Sequence, residues 1–132
     1  MKVLALDFGS ARTGVAVSDP TGTIARPLAI VERAASDDGL GRIAALVEAE
    51  AVDRVVVGMP LTLRGERGEQ ANATEQFVAA LRTALDVPVE TFDERFTTDL
   101  AEQTSNGATA VDSLAASHLL SSYLEWSSSN TR

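Results

Sequence analysis

Three short apolar runs that stop on acids or glycine constrain this chain more than any other feature. Val3-Leu4-Ala5-Leu6 stops at Asp7, Val55-Val56-Val57 stops at Gly58, and the more mixed run from Val87 to Phe92 stops at Asp93-Glu94. A run that is apolar at successive positions, instead of alternating, reads as a strand buried on both faces. Between the first two runs, Gly9 to Thr13 makes a turn and Gly14 to Ser18 a second strand. Asp19-Pro20-Thr21-Gly22 then makes another turn before a third strand near Ala25 to Val31. Two short turns in succession imply an antiparallel meander.

After the meander the period changes. Ser36-Asp37-Asp38 offers an N-cap and an acidic first turn, and Leu40, Ile43, Ala44, Leu46 and Val47 follow at helical spacing. Glu69 to Leu85 reads as a second helix with Phe77, Val78, Leu81 and Leu85 as its stripe. A short helical piece is expected after Thr98, a break at Asn106-Gly107, and a last helix from about Thr109 to Trp126. The order is β-β-β-α-β-α-β-α-α. Strand-helix-strand units cross over right-handedly and pair in parallel, so the third, fourth and fifth strands run the same way. A meander makes the first strand parallel to the third. The first, fourth and fifth strands therefore end at one edge of a mixed sheet, and ligands of open α/β sheets gather beyond such carboxyl ends.

That edge collects acids. Asp7 and Asp93-Glu94 arrive there from the strands, and Asp112 heads a helical stripe of Ala115, Ala116, Leu119 and Tyr123 that should face the sheet. An unpaired buried carboxylate is costly, and converging carboxylates repel unless protons or a cation hold them together. The chain has no cysteine and one histidine, which excludes disulfides, thiol catalysis, Cys-based zinc sites and His-rich metal cages. Oxygen donors alone suit Mg²⁺ or Mn²⁺. Two such ions outweigh three carboxylates and leave a positive pocket for a phosphate, the arrangement for in-line phosphodiester cleavage.

The charge balance pulls the other way. A net charge of -8 and a pI near 4.5 are far from the basic footprint of a nucleic-acid binder. Lys2 is the only lysine among the 11 cations; the rest are arginine, the better bidentate phosphate ligand, and composition bias is a sufficient explanation of that preference. No stretch approaches the ~20 apolar residues that span a bilayer, and Asp7 interrupts the first apolar run, so neither a membrane span nor a signal peptide is expected. The expectation is a soluble, cytoplasmic protein of one domain.

Four motifs resemble one family. Leu6-Asp7-Phe8-Gly9-Ser10 with Arg12 and Gly14-Val15-Ala16-Val17-Ser18-Asp19 is similar to the opening of the YqgF/RuvX family. Val56-Val57-Gly58-Met59-Pro60-Leu61, continuing through Gly65, Gly68, Gln70 and Ala71, is similar to its fourth-strand loop. Asp93-Glu94-Arg95-Phe96-Thr97-Thr98 resembles its Asp-Glu-Arg motif, and Val111-Asp112-Ser113-Leu114-Ala115-Ala116 its acid-headed last helix. The motifs span nearly the whole chain in the family's order.

The resemblance implies an RNase H-like fold: an α/β domain over residues 1–126, a five-stranded mixed sheet of order 3-2-1-4-5 flanked by helices, and a polar tail at 127–132. It implies a nuclease that processes the 5′ end of pre-16S ribosomal RNA, cleaves branched DNA such as Holliday junctions, or does both. Asp7, Glu94 and Asp112 would be the catalytic, metal-binding acids for two Mg²⁺ or Mn²⁺ ions. Asp93 is a substitute or supporting acid, because alternation sends it and Glu94 to opposite faces and the sequence does not say which turns inward. Arg12, Arg95, Gly65, Arg67 and Gly68 would bind substrate phosphate. A water would attack the phosphodiester and leave a 3′-hydroxyl on the departing strand. The partners implied are pre-ribosomal RNA or branched or single-stranded DNA, with a homodimer needed if a junction is cut symmetrically.

One departure stands out. Only 18 residues lie between Asp93 and Asp112, where the family usually has a longer basic segment, and Leu100 to Asn130 holds no Lys or Arg. This argues for a light grip on substrate. Two rival readings are a catalytically silent ribosome-maturation scaffold, favoured by the acidic balance, and a nucleotide-binding domain of the actin and sugar-kinase kind. The latter shares Asp-Phe-Gly-Ser-x-x-x-Gly but needs two such domains. His118 is read as a packing or surface residue, and Tyr123 and Trp126 as a hydrophobic anchor.

Overall fold

Strand alternation divides the apolar runs between two cores. In the computed structural model β1 (Val3–Asp7) sends Leu4 and Leu6 to one face and Val3 and Ala5 to the other, all of them buried. The structure describes residues 1–9, 11–60, 68–94 and 108–130, with the side chains of the last segment described from Leu114 to Ser128. β2 (Arg12–Ser18) pairs antiparallel with β1, and β3 (Ala25–Glu32) antiparallel with β2. β4 (Arg54–Met59) pairs parallel with β1, and β5 (Val89–Asp93) parallel with β4. The sheet order is β3-β2-β1-β4-β5, as expected from sequence. Pro27, which has no N–H to donate, sits on the edge strand β3 where an edge tolerates it.

Helices cover both faces. α1 (Asp37–Ala49) and α2 (Glu69–Ala84) pack Ile43, Val47, Phe77, Val78 and Leu81 on Leu4, Leu6, Val15, Val17, Val55 and Val57. α3 (Ala108–Asn130) packs Ala116, Leu119, Leu120, Tyr123 and Leu124 on Val3, Ala5, Ala16, Val56 and Phe92. Successive apolar residues are thus required in β1, β2 and β4, which are buried on both faces, whereas the outer strands β3 and β5 keep exposed positions such as Arg26 and Thr91. The helical piece expected after Thr98 lies outside the described residues. α3 runs to Asn130, so the expected tail at 127–132 is helical over its first four residues; serines without Gly or Pro do not break a helix.

The direction of α3 is fixed at its far end. Arg54 Nη1 donates to Tyr123 Oη at 3.0 Å and to Glu90 Oε1 at 3.4 Å, and the Tyr123 hydroxyl donates to Glu90. This ties Tyr123 to the start of β4, while Leu119 lies against Gly58 at its end. The helix therefore begins at the carboxyl edge of the sheet, and position 112 stands about 10 Å beyond Leu119 along its axis.

The caps of α1 follow from local chemistry. Ser36 Oγ accepts from the Gly39 N–H at 3.1 Å. At the other end Val52 N donates to Val47 O at 3.0 Å and Ala51 N to Glu48 O at 3.2 Å, a Schellman pair that puts Ala51 at φ 53°. A Cβ in the left-handed region costs about 1–2 kcal/mol, part of which a glycine would return as unfolded-state entropy. Ala51→Gly should therefore stabilise the protein by about 0.5–1 kcal/mol, read as a higher denaturant midpoint at unchanged slope.

Candidate active site

The carboxyl ends of β1 and β5 bring two acids into contact. Val3 and Ala5 belong to the α3-side core, so Asp7 lies on that face as well. Phe92 is buried in the same core, which sends Asp93 to the opposite face and returns Glu94, one residue past the strand, to the side of Asp7. Glu94 is the acid whose carboxyl hydrogen-bonds Asp7. Its pKa is pushed up to about 8, first by burial, then by that hydrogen bond, then by the charges of Asp7 and Asp93. Without a cation, Glu94 keeps its proton at neutral pH and donates it to Asp7.

Room for this pair comes from Gly58, which pairs in register with Phe92 on β5. A Cβ there would stand 2.8 Å from Glu94 Oε1, 2.9 Å from Glu94 Cγ and 3.1 Å from Leu119 Cδ2. The Glu94 side chain lies against the bare backbone of β4. Sequence reading marked Gly58 as the end of a strand and missed this role. The signal was available, since a glycine inside a buried strand marks a close approach.

The neighbouring elements are held to the same edge. Asp7 pairs with Gly14, so Arg12 stands two residues further along β2 on the face of Asp7, and it is exposed. Phe8, directly after Asp7, stacks on Phe77 of α2 with ring centroids 4.3 Å apart. The Gln70 amide donates to Phe8 O at 3.4 Å. These contacts place the N-terminus of α2, capped by Gly68, beside the end of β1. Backbone N–H groups at such a terminus favour an anion. Gln70, part of the second motif, thus ties the first turn of α2 to the residue after β1.

Of the residues expected from sequence, Asp7 and Glu94 touch at this edge, Arg12 lies on the Asp7 face by register, Gly68 caps α2 on the opposite face, and Asp93 acts on Glu94 through its charge. Gly65, Arg67 and Arg95 lie outside the described residues. Asp112 is in α3 on the turn preceding Ala116, with its side chain outside the described set. His118 is half-buried on α3. Among the described residues no three Asp, Glu or His side chains gather closely enough to hold a metal ion. The chemistry of the donor set nevertheless fits a hard divalent cation. Two half-buried carboxyls touch, both are oxygen donors, and the space a Cβ of residue 58 would fill is left to the Glu94 side chain.

Comparison with known proteins agrees with this architecture. Residues 1–126 match the family described as RuvX, Holliday junction resolvase. The chain belongs to the RuvX family. A relative from Chloroflexus aurantiacus, which carries the provisional name of pre-16S rRNA nuclease, is 43% identical over 97% of this chain and 89% of its own. One of the same name from Roseiflexus is 39% identical over 94% of each chain. Among solved structures, Thermus thermophilus RuvC in complex with a Holliday junction superposes with a TM-score of 0.63 at 19% identity, covering 99% of this chain and 97% of that one. Fowlpox virus resolvase with junction DNA gives 0.56 at 16% identity, covering 96% and 98%. At these identities the two structures establish a shared fold. No helix among the described residues is long and apolar enough to cross a membrane.

The raised Glu94 pKa makes this RuvX protein pH-sensitive when metal-free. Between about 4.5 and about 8 the folded state binds the Glu94 proton and the unfolded state has lost it, so stability falls as pH rises. With EDTA present, the melting temperature should drop from pH 5 to pH 8 by a few degrees more in the wild type than in Glu94→Gln.

Proposed function

We propose that this RuvX protein is a metal-dependent nuclease acting in the cytoplasm, which hydrolyses phosphodiesters in pre-16S ribosomal RNA or in branched DNA such as Holliday junctions. The observation that carries the reading is the Asp7–Glu94 contact against Gly58 at the carboxyl edge of the sheet. The names of the RuvX relatives support the ribosomal substrate, and the junction-bound RuvC structure supports the branched one.

Asp7 and Glu94, with Asp112 as the third acid, would hold two Mg²⁺ or Mn²⁺ ions. Bound divalent ions supply charge neutralisation at the phosphodiester and lower the pKa of the attacking water. Arg12, on the Asp7 face, would pair with a non-bridging phosphate oxygen, and its fixed charge suits the dianionic character of the transition state. The N-terminus of α2 at Gly68 would orient the next phosphate through its N–H groups. Gly65, Arg67 and Arg95 complete the proposed phosphate contacts. The water oxygen would bond to phosphorus and release a proton to solvent while the P–O3′ bond breaks and the departing O3′ takes a proton from solvent. Symmetric cutting of a junction requires two copies of this site, hence a homodimer on that substrate.

Cleavage of a four-way junction, single-stranded DNA and a precursor-RNA fragment should be compared with Mg²⁺ and with Mn²⁺. Asp7→Asn and Asp112→Asn should each lower the rate by about 100-fold or more, and EDTA should abolish it. Equal rates in wild type and both variants would overturn the proposal. Gly58→Ala leaves every acid in place but forces the Glu94 carboxyl aside, and should cost about tenfold or more in rate with little loss of affinity for nucleic acid.

A further inference from the structure

Arg33 is a residue to which neither the family resemblance nor the site described above gives a role. It follows β3 directly and has φ 47°, in the left-handed region that an arginine rarely occupies. The backbone there is held from three sides. Arg33 N donates to Ala11 O at 3.0 Å, and Arg33 O accepts from both Ser36 N, at 3.0 Å, and Ser36 Oγ, at 2.7 Å. The first turn of α1 closes over it, since a Cβ on Gly39 would stand 2.3 Å from Arg33 O. The turn is fixed by its surroundings, so the conformation would be the same, at lower cost, with glycine or asparagine.

The side chain supplies no local reason for the arginine. Arg33 is exposed, and among the described residues no hydrogen bond or ion pair engages its guanidinium. Arg26, at the other end of β3, instead pairs with Glu50 at 3.3 Å. The register places Arg33 at the functional edge: Asp7 pairs with Gly14, Arg12 with Glu32, and Arg33 comes next, beside Ala11. At about 4.8 Å per strand, β3 lies about 10 Å across the sheet from β1, comparable to two or three nucleotides of rise along one strand. A chain of phosphates that starts at the carboxylates and passes Arg12 reaches Arg33 next.

We propose that Arg33 is a further substrate-binding residue, which contacts the sugar–phosphate backbone on the β3 side of the Asp7–Glu94 pair. This rests on the nuclease reading for the identity of the ligand. Its left-handed backbone is retained because it holds the exposed arginine at the end of the sheet, one residue past Glu32, the register partner of Arg12. In a chain without Lys or Arg from Leu100 to Asn130, such a contact would supply part of the grip missing from that segment.

The test uses a substitution whose structural and binding effects have opposite signs. Arg33→Gly relieves the backbone, so it should melt higher than wild type, and it removes one phosphate contact. Binding of a labelled four-way DNA junction and a labelled single-stranded RNA is measured by anisotropy across a salt series, with EDTA present so that neither is cut. Arg33→Gly should bind about fivefold more weakly at low salt, with the slope of log affinity against log salt reduced by about 0.9 on the junction and about 0.7 on the single-stranded RNA. Arg33→Lys should keep the wild-type slope, and Arg26→Ala should change neither affinity nor slope. Equal affinity and slope in wild type and Arg33→Gly would overturn the proposal, whatever the melting temperature does. So would an equal loss in Arg26→Ala, which would show that only net charge matters. Failure of the nuclease reading shows elsewhere, as cleavage indifferent to Asp7→Asn.

Discussion

The parallel pairing of β4 with β1 and of β5 with β4 is the constraint on which the rest of the molecule depends. Leu6 opposite Val57 and Gly58 opposite Phe92 set three strands side by side with their carboxyl ends level. Parallel strands need crossovers, the crossovers are α1 and α2, and with α3 on the other face the sheet is covered on both sides. A sheet filled on both faces leaves only its edges for polar chemistry. Asp7 and Glu94 are where they are because the residues before them are consumed by the two cores: Asp7 is the last residue of β1, and Glu94 follows β5 one residue beyond its end.

Putting two carboxyls in contact is unfavourable unless something neutralises them. In the protein alone a proton does so, and Glu94 keeps it to about pH 8. A divalent ion would do so more strongly, and the oxygen-only donors suit one. The net charge of -8, which counts against nucleic acid when averaged over the surface, is a poor guide to this edge. Arg12 lies on the Asp7 face of the sheet, and bound cations would reverse the local sign of the pair.

Most of the fold was legible. Asp19-Pro20-Thr21-Gly22 announced a tight turn, and Asp19 does cap it, accepting from Thr23 N at 2.8 Å and Ile24 N at 2.9 Å. Ser36 was readable as an N-cap because its chemistry is local. The choice between Asp93 and Glu94 was not readable from their adjacency alone. It depends on which face Phe92 takes, and that is decided by α3, whose Tyr123 ring meets Phe92 edge-on with centroids 5.6 Å apart. Nor did the pattern of polar residues from Ser127 to Asn130 reveal that the helix continues, since serine is compatible with either state.

The sequence by itself determined the kinds of residue at the edge and the order in which the strands deliver them. Apolar period, turn chemistry and the absence of cysteine are properties of neighbouring residues, and they survive without knowledge of contacts. Only the tertiary structure decided that Glu94 is the acid meeting Asp7, that Gly58 is bare to admit it, and that Arg33 is held left-handed at the same edge. Each of these is an approach between segments far apart in the chain or across a packed turn. Such distances are set by how the layers settle against one another.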